Sequence, residues 1–230
     1  MMLFFDNETV VRMLLRLTRD ERYTPGYWKA APDAYVRDAM VYARLVEERH
    51  PDVAASLQAA CIVPEAYASK WFVGLCVHVL PFEALIDYVE AFLEHGFVFL
   101  FKFSLALIET LKPKLLALQS TQVNLVLEYL RLDQAHFPDD FEGGAFFTRL
   151  VADAKAVNLD VAQIAALREE EGEKLRVKMV RAKAREAELA AESDDEIVFS
   201  DEVRKKPSAH TLETPSALPV PLMRRSWCRL

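Results

Sequence analysis

Apolar residues recur three and four positions apart through most of the first 160 residues, and prolines cut that pattern into short segments. Pro25, Pro32, Pro51, Pro64, Pro81, Pro113 and Pro138 punctuate it, and most of them precede a new apolar run. Proline suits the first turn of a helix, where its missing N–H costs nothing, so the pattern predicts successive short helices. Asn7 is placed to cap the first, which buries Val10, Leu14 and Leu17; Asp33 is placed to cap a second carrying Val36, Met40 and Ala43, after a loop over residues 23–31. Pro51 and Pro64 open the third and fourth. The fourth, over residues 67–79, is apolar nearly all round through Trp71, Phe72, Val73, Leu75, Cys76 and Val77. A helix without a polar face is enclosed by its neighbours, which puts this one in the core.

Pro81 starts a fifth helix through Phe82, Leu85, Val89 and Phe92, with His95-Gly96 as a left-handed stop. Residues 98–112 form a sixth, 113–118 and 121–132 continue the pattern, and Gly143-Gly144 precedes a helix over 146–156. Asp160 followed by Gln163 reads as a capping box opening a long helix to about Glu192. Ile164, Leu167 and Leu175 are placed to dock its first half. Residues 168–192 lack sustained heptads, which makes a full coiled coil the lesser reading for that stretch. The expected organisation is a helical domain over 1–120, a helical extension over 121–160, a long charged helix over 161–192, and a disordered acidic, proline-containing tail over 193–230.

Composition supports an all-α fold: six glycines in 230 residues is under half the usual share of about 7%. Charge adds a second constraint. The chain carries −7, with Glu192, Asp194, Asp195, Glu196, Asp201 and Glu202 crowded into eleven residues; without that stretch the net charge is −1. A near-neutral body has no electrostatic footprint for nucleic acid, which is excluded as a partner class. Ser193 and Ser200, followed by acids, have the form that acidophilic kinases prefer, against the plainer reading of an acidic linker. Cys61 and Cys76 lie in apolar runs, as small buried thiols of a reducing compartment do. The first residues lack a basic stretch and a long apolar stretch, and the most apolar run, 97–108, is shorter than the roughly 20 residues a spanning helix needs. A cytoplasmic protein without direct membrane insertion is expected.

No His-Glu-x-x-His, Cys-x-x-Cys, Gly-x-Gly-x-x-Gly, phosphate-binding loop or Gly-x-Ser-x-Gly is present. The five histidines (His50, His78, His95, His136 and His210) have no metal-ligand spacing, so no catalytic, cofactor-binding or metal-binding residue is assigned and no cofactor is expected.

The informative stretch runs from Ser69-Lys70-Trp71-Phe72 through Leu80-Pro81 and Val89-Glu90 to Gly96 and Phe101-Lys102. It resembles the second half of the TBC domain, the helical module of Rab GTPase-activating proteins. In that family a Trp-Phe pair opens a buried helix, Leu-Pro starts the next, and a Gly precedes an apolar helix with a basic residue after Phe. Gly26-Tyr27-Trp28 and the stretch from Pro51-Asp52-Val53 to Cys61-Ile62-Val63 fit the family's preceding helices, and Ile164-Ala165-Ala166-Leu167-Arg168-Glu169 looks like the post-domain helix of one subgroup. The resemblance covers roughly residues 6–118, extending weakly to about 180. It implies a multi-helix bundle and a small GTPase of the Rab family as partner, with access to endomembranes through the bound GTPase. Trp71, Phe72, Leu80, Pro81, Val89, Glu90, Gly96, Phe101 and Lys102 are expected as structural positions of the motif.

Two departures stand out. Val89-Glu90 replaces the family's usual Trp-Asp, and the family's Tyr-x-Gln and Ile-x-x-Asp-x-x-Arg, which carry its glutamine and arginine fingers, do not occur. Both belong N-terminal to the matched segment, so the chain is expected to be the C-terminal part of a Rab GTPase-activating protein with little activity of its own. The alternative is a non-catalytic TBC-like scaffold that binds a small GTPase. Their discriminating feature is whether the fingers are encoded upstream.

Overall fold

The computed structural model describes residues 6–137 and 145–195, without the side chains of 191–195. Its helices are α1 (Asn7–Arg19), α2 (Asp33–Arg49), α3 (Pro51–Ala59), α4 (Ser69–Phe72), α5 (Phe82–His95), α6 (Phe97–Ala117), α7 (Val123–Leu130), α8 (Phe146–Ala156) and α9 (Val161–Asp195), with 3-10 turns at Pro64–Ala66 and Gln134–His136. The described residues contain no strand, and the fold is all-helical as the periodicity predicts. The chain divides into two compact units, Met1–Arg176 and Val177–Leu230. In the second, the described residues are helical, with Val177, Val180 and Leu189 exposed. The tail expected to be disordered, with Ser200 in it, lies outside the described residues from 196 onward.

In the first unit α6 is the axis, packed against α2, α3, α4, α5, α7 and α8. Phe99, Leu100, Phe101, Phe103, Leu107, Ile108 and Leu111 are fully buried along it, which is what a helix apolar on all sides requires. Its one buried hydroxyl, Ser104, donates to the Leu100 carbonyl at 2.6 Å and so brings no unsatisfied group into the core. The sequence pattern breaks this helix before Pro113, yet α6 continues through it to Ala117. Proline removes the bond to the carbonyl four residues back, that of Glu109, and Glu109 lies on the exposed side, where water can replace the lost donor.

The fourth helix is the main correction. Instead of spanning 67–79 it is a single turn, and the chain then winds through turns in which Leu75 (φ 46°) and Cys76 (φ 57°) take left-handed conformations. The Gly74 N–H bonds the Ser69 carbonyl and the Cys76 N–H bonds that of Lys70, so the helix end is closed by backbone. A Cβ on Gly74 would lie 2.9 Å from the Lys70 carbonyl oxygen, which is why a glycine stands there. Burial follows the prediction for Trp71, Phe72 and Cys76 but not for Val77, which is half exposed.

Several ends shift by one residue. Asp6 caps α1, its carboxylate accepting from the Thr9 N–H (2.9 Å) and hydroxyl (2.8 Å), while Val10 and Leu17 are buried and Leu14 is exposed. Asp33 is the first residue of α2, and Pro32 precedes it as cap. Cys61 is exposed at a left-handed turn rather than buried. Asp160 caps α9 through the Ala162 N–H (2.9 Å), but Gln163 reaches across to Glu48 (2.8 Å) instead of closing a capping box. Ile164 and Leu167 dock this helix as expected.

The core is rich in buried phenols. Burial is the first cause that raises Tyr27, Tyr42, Tyr67 and Tyr88 well above the ordinary tyrosine range and Tyr35 to about 12. Above pH 10 the unfolded phenols release protons that the folded ones keep, so the unfolded state binds fewer protons and stability falls as pH rises. The expected loss is about 1.4 kcal/mol per buried phenol per pH unit above 10, until the folded value is reached. Urea unfolding at pH 9 and pH 11 measures it; equal midpoints would show that these phenols are solvated.

Candidate functional site

The nine motif positions divide into core and surface. Trp71 and Phe72 are fully buried, with Tyr67 5.4 Å and Tyr42 6.0 Å from the Trp71 ring and Phe101 5.2 Å from that of Phe72. The Tyr88 hydroxyl donates to the Trp71 carbonyl at 3.2 Å, tying α5 to the end of α4. Leu80 is buried, Pro81 caps α5, and Gly96 joins α5 to α6 with φ 65° and ψ −148°. The structure therefore brings Trp71, Phe72 and Phe101 into one aromatic cluster. Val89 is partly buried against the core, the Glu90 carboxylate is exposed and Lys102 is partly exposed on α6. None of these arrangements presents a nucleophile or an acid–base pair, and no group of three potential metal ligands occurs among the described residues.

The polar group that sequence reasoning missed is Asp38. It lies on α2 with no exposure, on the same face as Tyr35 and Tyr42. Its carboxylate accepts from the Tyr27 hydroxyl (2.5 Å), from Arg37 Nε (2.8 Å), and from both Nε (3.0 Å) and a terminal nitrogen of Arg168 on α9. The Arg168 guanidinium also lies 3.7 Å from the centre of the Phe97 ring, a cation–π contact at the start of α6. One arginine thus ties α9 to α2 and α6, and the forked pair supplies the bonds a buried carboxylate needs. The signal was legible: a lone acid three residues after Tyr35 and four before Tyr42 on an apolar face needs a cationic partner.

A groove of about 610 Å³ opens beside this cluster, between the loop before α2 and the α4 turn. Tyr27, Trp28, Lys29, Pro32 and Tyr35 form one side, and Ser69, Lys70, Val73, Gly74, His78 and Val79 the other. Sequence reasoning missed it because it read 67–79 as one enclosed helix; the turns at Gly74 to Cys76 are what present this wall to solvent.

Comparison with known proteins places this geometry. The profile of the Rab-GTPase-TBC domain matches residues 1–116. Carabin of Mus musculus is 34% identical over 87 residues, which is 38% of this chain and 20% of that protein. TBC1 domain family member 10B of Homo sapiens is 26% identical over 155 residues, 66% of this chain and 19% of that protein. The chain thus spans about a fifth of the length of these relatives. The matched segment contains the aromatic cluster, Gly96 and both walls of the groove. The spacing aliphatic-x-x-Asp-x-x-Arg does occur in this chain, at Val198, Asp201 and Arg204, but C-terminal to the matched segment and with Val where the finger motif has Ile.

Proposed function

The chain belongs to the Rab-GTPase-TBC domain family, and from that membership we propose that it binds a small GTPase of the Rab family as the C-terminal part of a GTPase-activating surface. Its own contribution is to complete the core and hold binding residues in place, not to supply the groups that act on the phosphate. The observation that carries this reading is the match over residues 1–116 combined with the motif residues Trp71, Phe72, Leu80 and Gly96 at buried structural positions.

The physical argument for low intrinsic activity concerns charge. An arginine supplied to the transferring phosphoryl group is worth roughly 10³ to 10⁵ in rate, and a glutamine orients the attacking water. This chain has neither Tyr-x-Gln nor Ile-x-x-Asp-x-x-Arg. A partner GTPase bound to it is left with its intrinsic machinery. Access to endomembranes would come with that GTPase. No described helix is long and apolar enough to cross a membrane.

Binding and single-turnover hydrolysis with a panel of GTP-loaded Rab proteins test both halves of this reading. The expected result is saturable binding to at least one member, with hydrolysis accelerated less than about tenfold against the roughly 10³ or more that fingers provide. Acceleration in the thousands would overturn the finger-less assignment. Failure to bind any GTP-loaded member would overturn the partner assignment.

A further inference from the structure

We propose that the groove between the loop before α2 and the α4 turn is a docking site for an acidic peptide segment that carries an apolar anchor. This goes beyond GTPase binding and does not rest on it. The floor is aromatic and aliphatic, from Tyr27, Tyr35, Val73 and Val79. At its edge stands Trp28, 39% exposed, whose indole N–H donates to the Val73 carbonyl at 3.0 Å across the groove. The ring is held in place before any ligand arrives, so docking against it costs little further ordering.

Charge selects the occupant. The charged side chains lining the groove are Lys29 and Lys70, with His78 beside them, and no carboxylate lines it. Both lysines are exposed, and neither is ion-paired with a described residue. The adjoining cleft, of about 360 Å³, shares Lys70, His78 and Val79 but also holds Arg131, Glu128 and Asp133, so its two carboxylates offset its lysine and arginine, whereas the first groove has no carboxylate. Glu128 is engaged by His136 at 2.8 Å, and Asp133 accepts from the Ala135 N–H at 3.1 Å. An apolar pocket rimmed by a fixed tryptophan and unpaired lysines complements a short segment with an aliphatic or aromatic side chain between carboxylates. The volume is in the range of sites that enclose a few side chains.

The probe is a fluorescein-labelled peptide with the sequence of residues 192–202, in which acids flank Ile197, Val198 and Phe199. Anisotropy titrations use the full chain and a full-chain variant whose six acids at 192–202 are replaced by their amides, so that those carboxylates do not compete with the probe. Saturable binding is expected, about tenfold weaker for Lys29→Glu/Lys70→Glu and between roughly 50 and 500 mM salt. Trp28→Ala is expected to weaken it by roughly thirtyfold, and replacing the peptide's Ile-Val-Phe with three serines should abolish it. Thermal melts verify that the variants remain folded. No saturation on either chain by about 1 mM peptide, or saturation that neither the lysine nor the tryptophan changes reduce, would overturn the proposal.

Discussion

Asp38→Ala is expected to lower the unfolding free energy of the first compact unit by roughly 3–5 kcal/mol. Asp38 has no exposure and is the shared acceptor of Tyr27, Arg37 and Arg168, so its removal leaves a partly buried guanidinium and a buried phenol without their acceptor. Arg168→Met produces the converse defect, a buried carboxylate left with Arg37 and the phenol, and also removes the cation over the Phe97 ring. The double variant Asp38→Leu/Arg168→Met removes both charges and should recover most of the loss, because a buried pair replaced by apolar groups is often neutral. Urea denaturation of Asp38→Leu, Arg168→Met and the double variant, with the parent chain, forms a double-mutant cycle. Additive losses would show that the two side chains do not act as a pair.

Gly96→Ala is expected to cost about 3 kcal/mol or more. The backbone at Gly96 has φ 65° and ψ −148°, a combination that side chains other than hydrogen rarely allow and that alone costs about 1–3 kcal/mol. The added methyl would lie 2.0 Å from the Arg22 carbonyl oxygen, well inside contact distance. That carbonyl accepts the Phe97 N–H at 2.8 Å, the first donor of α6, so pushing it away also uncaps the central helix. At a chain of this size the loss corresponds to a fall in Tm of roughly 6–12 °C. A melt within 2 °C of the parent would mean that the α5–α6 corner can open without disturbing α6.

The helices were legible where one physical rule acts alone. α8 and the start of α9 follow from apolar spacing and a capping acid, and the left-handed stop at Gly96 follows from a glycine after a helical run. The same rules failed at α4, where hydrophobicity alone suggested a continuous helix. Trp71 and Phe72 are buried by aromatic neighbours from α2 and α6, so they need tertiary packing and not helical continuity, and Leu75 and Cys76 accept left-handed backbone there. Periodicity reports which side of a segment is dry but not whether it stays helical. The groove was illegible for that reason, since Val73, Gly74, His78 and Val79 form its second wall only through the turns after Phe72. The Arg168 partner of Asp38 was hidden by sequence distance, being 130 residues away on a helix that composition describes as solvated.

That distance also sets an order in time. A ribosome adding roughly 5–20 residues per second takes about 7–26 s to pass from codon 38 to codon 168. During that interval the nascent chain has already made Trp71, Phe101 and the rest of the aromatic cluster that α2 closes over, yet its acid can be matched only by Arg37. Sealing α2 into the core is therefore expected to wait for the final third of the chain, and a product released before Arg168 would carry a desolvated acid short of its principal counter-ion. The first 116 residues carry the family match, whereas Arg168, the second cation on Asp38, lies 52 residues beyond it.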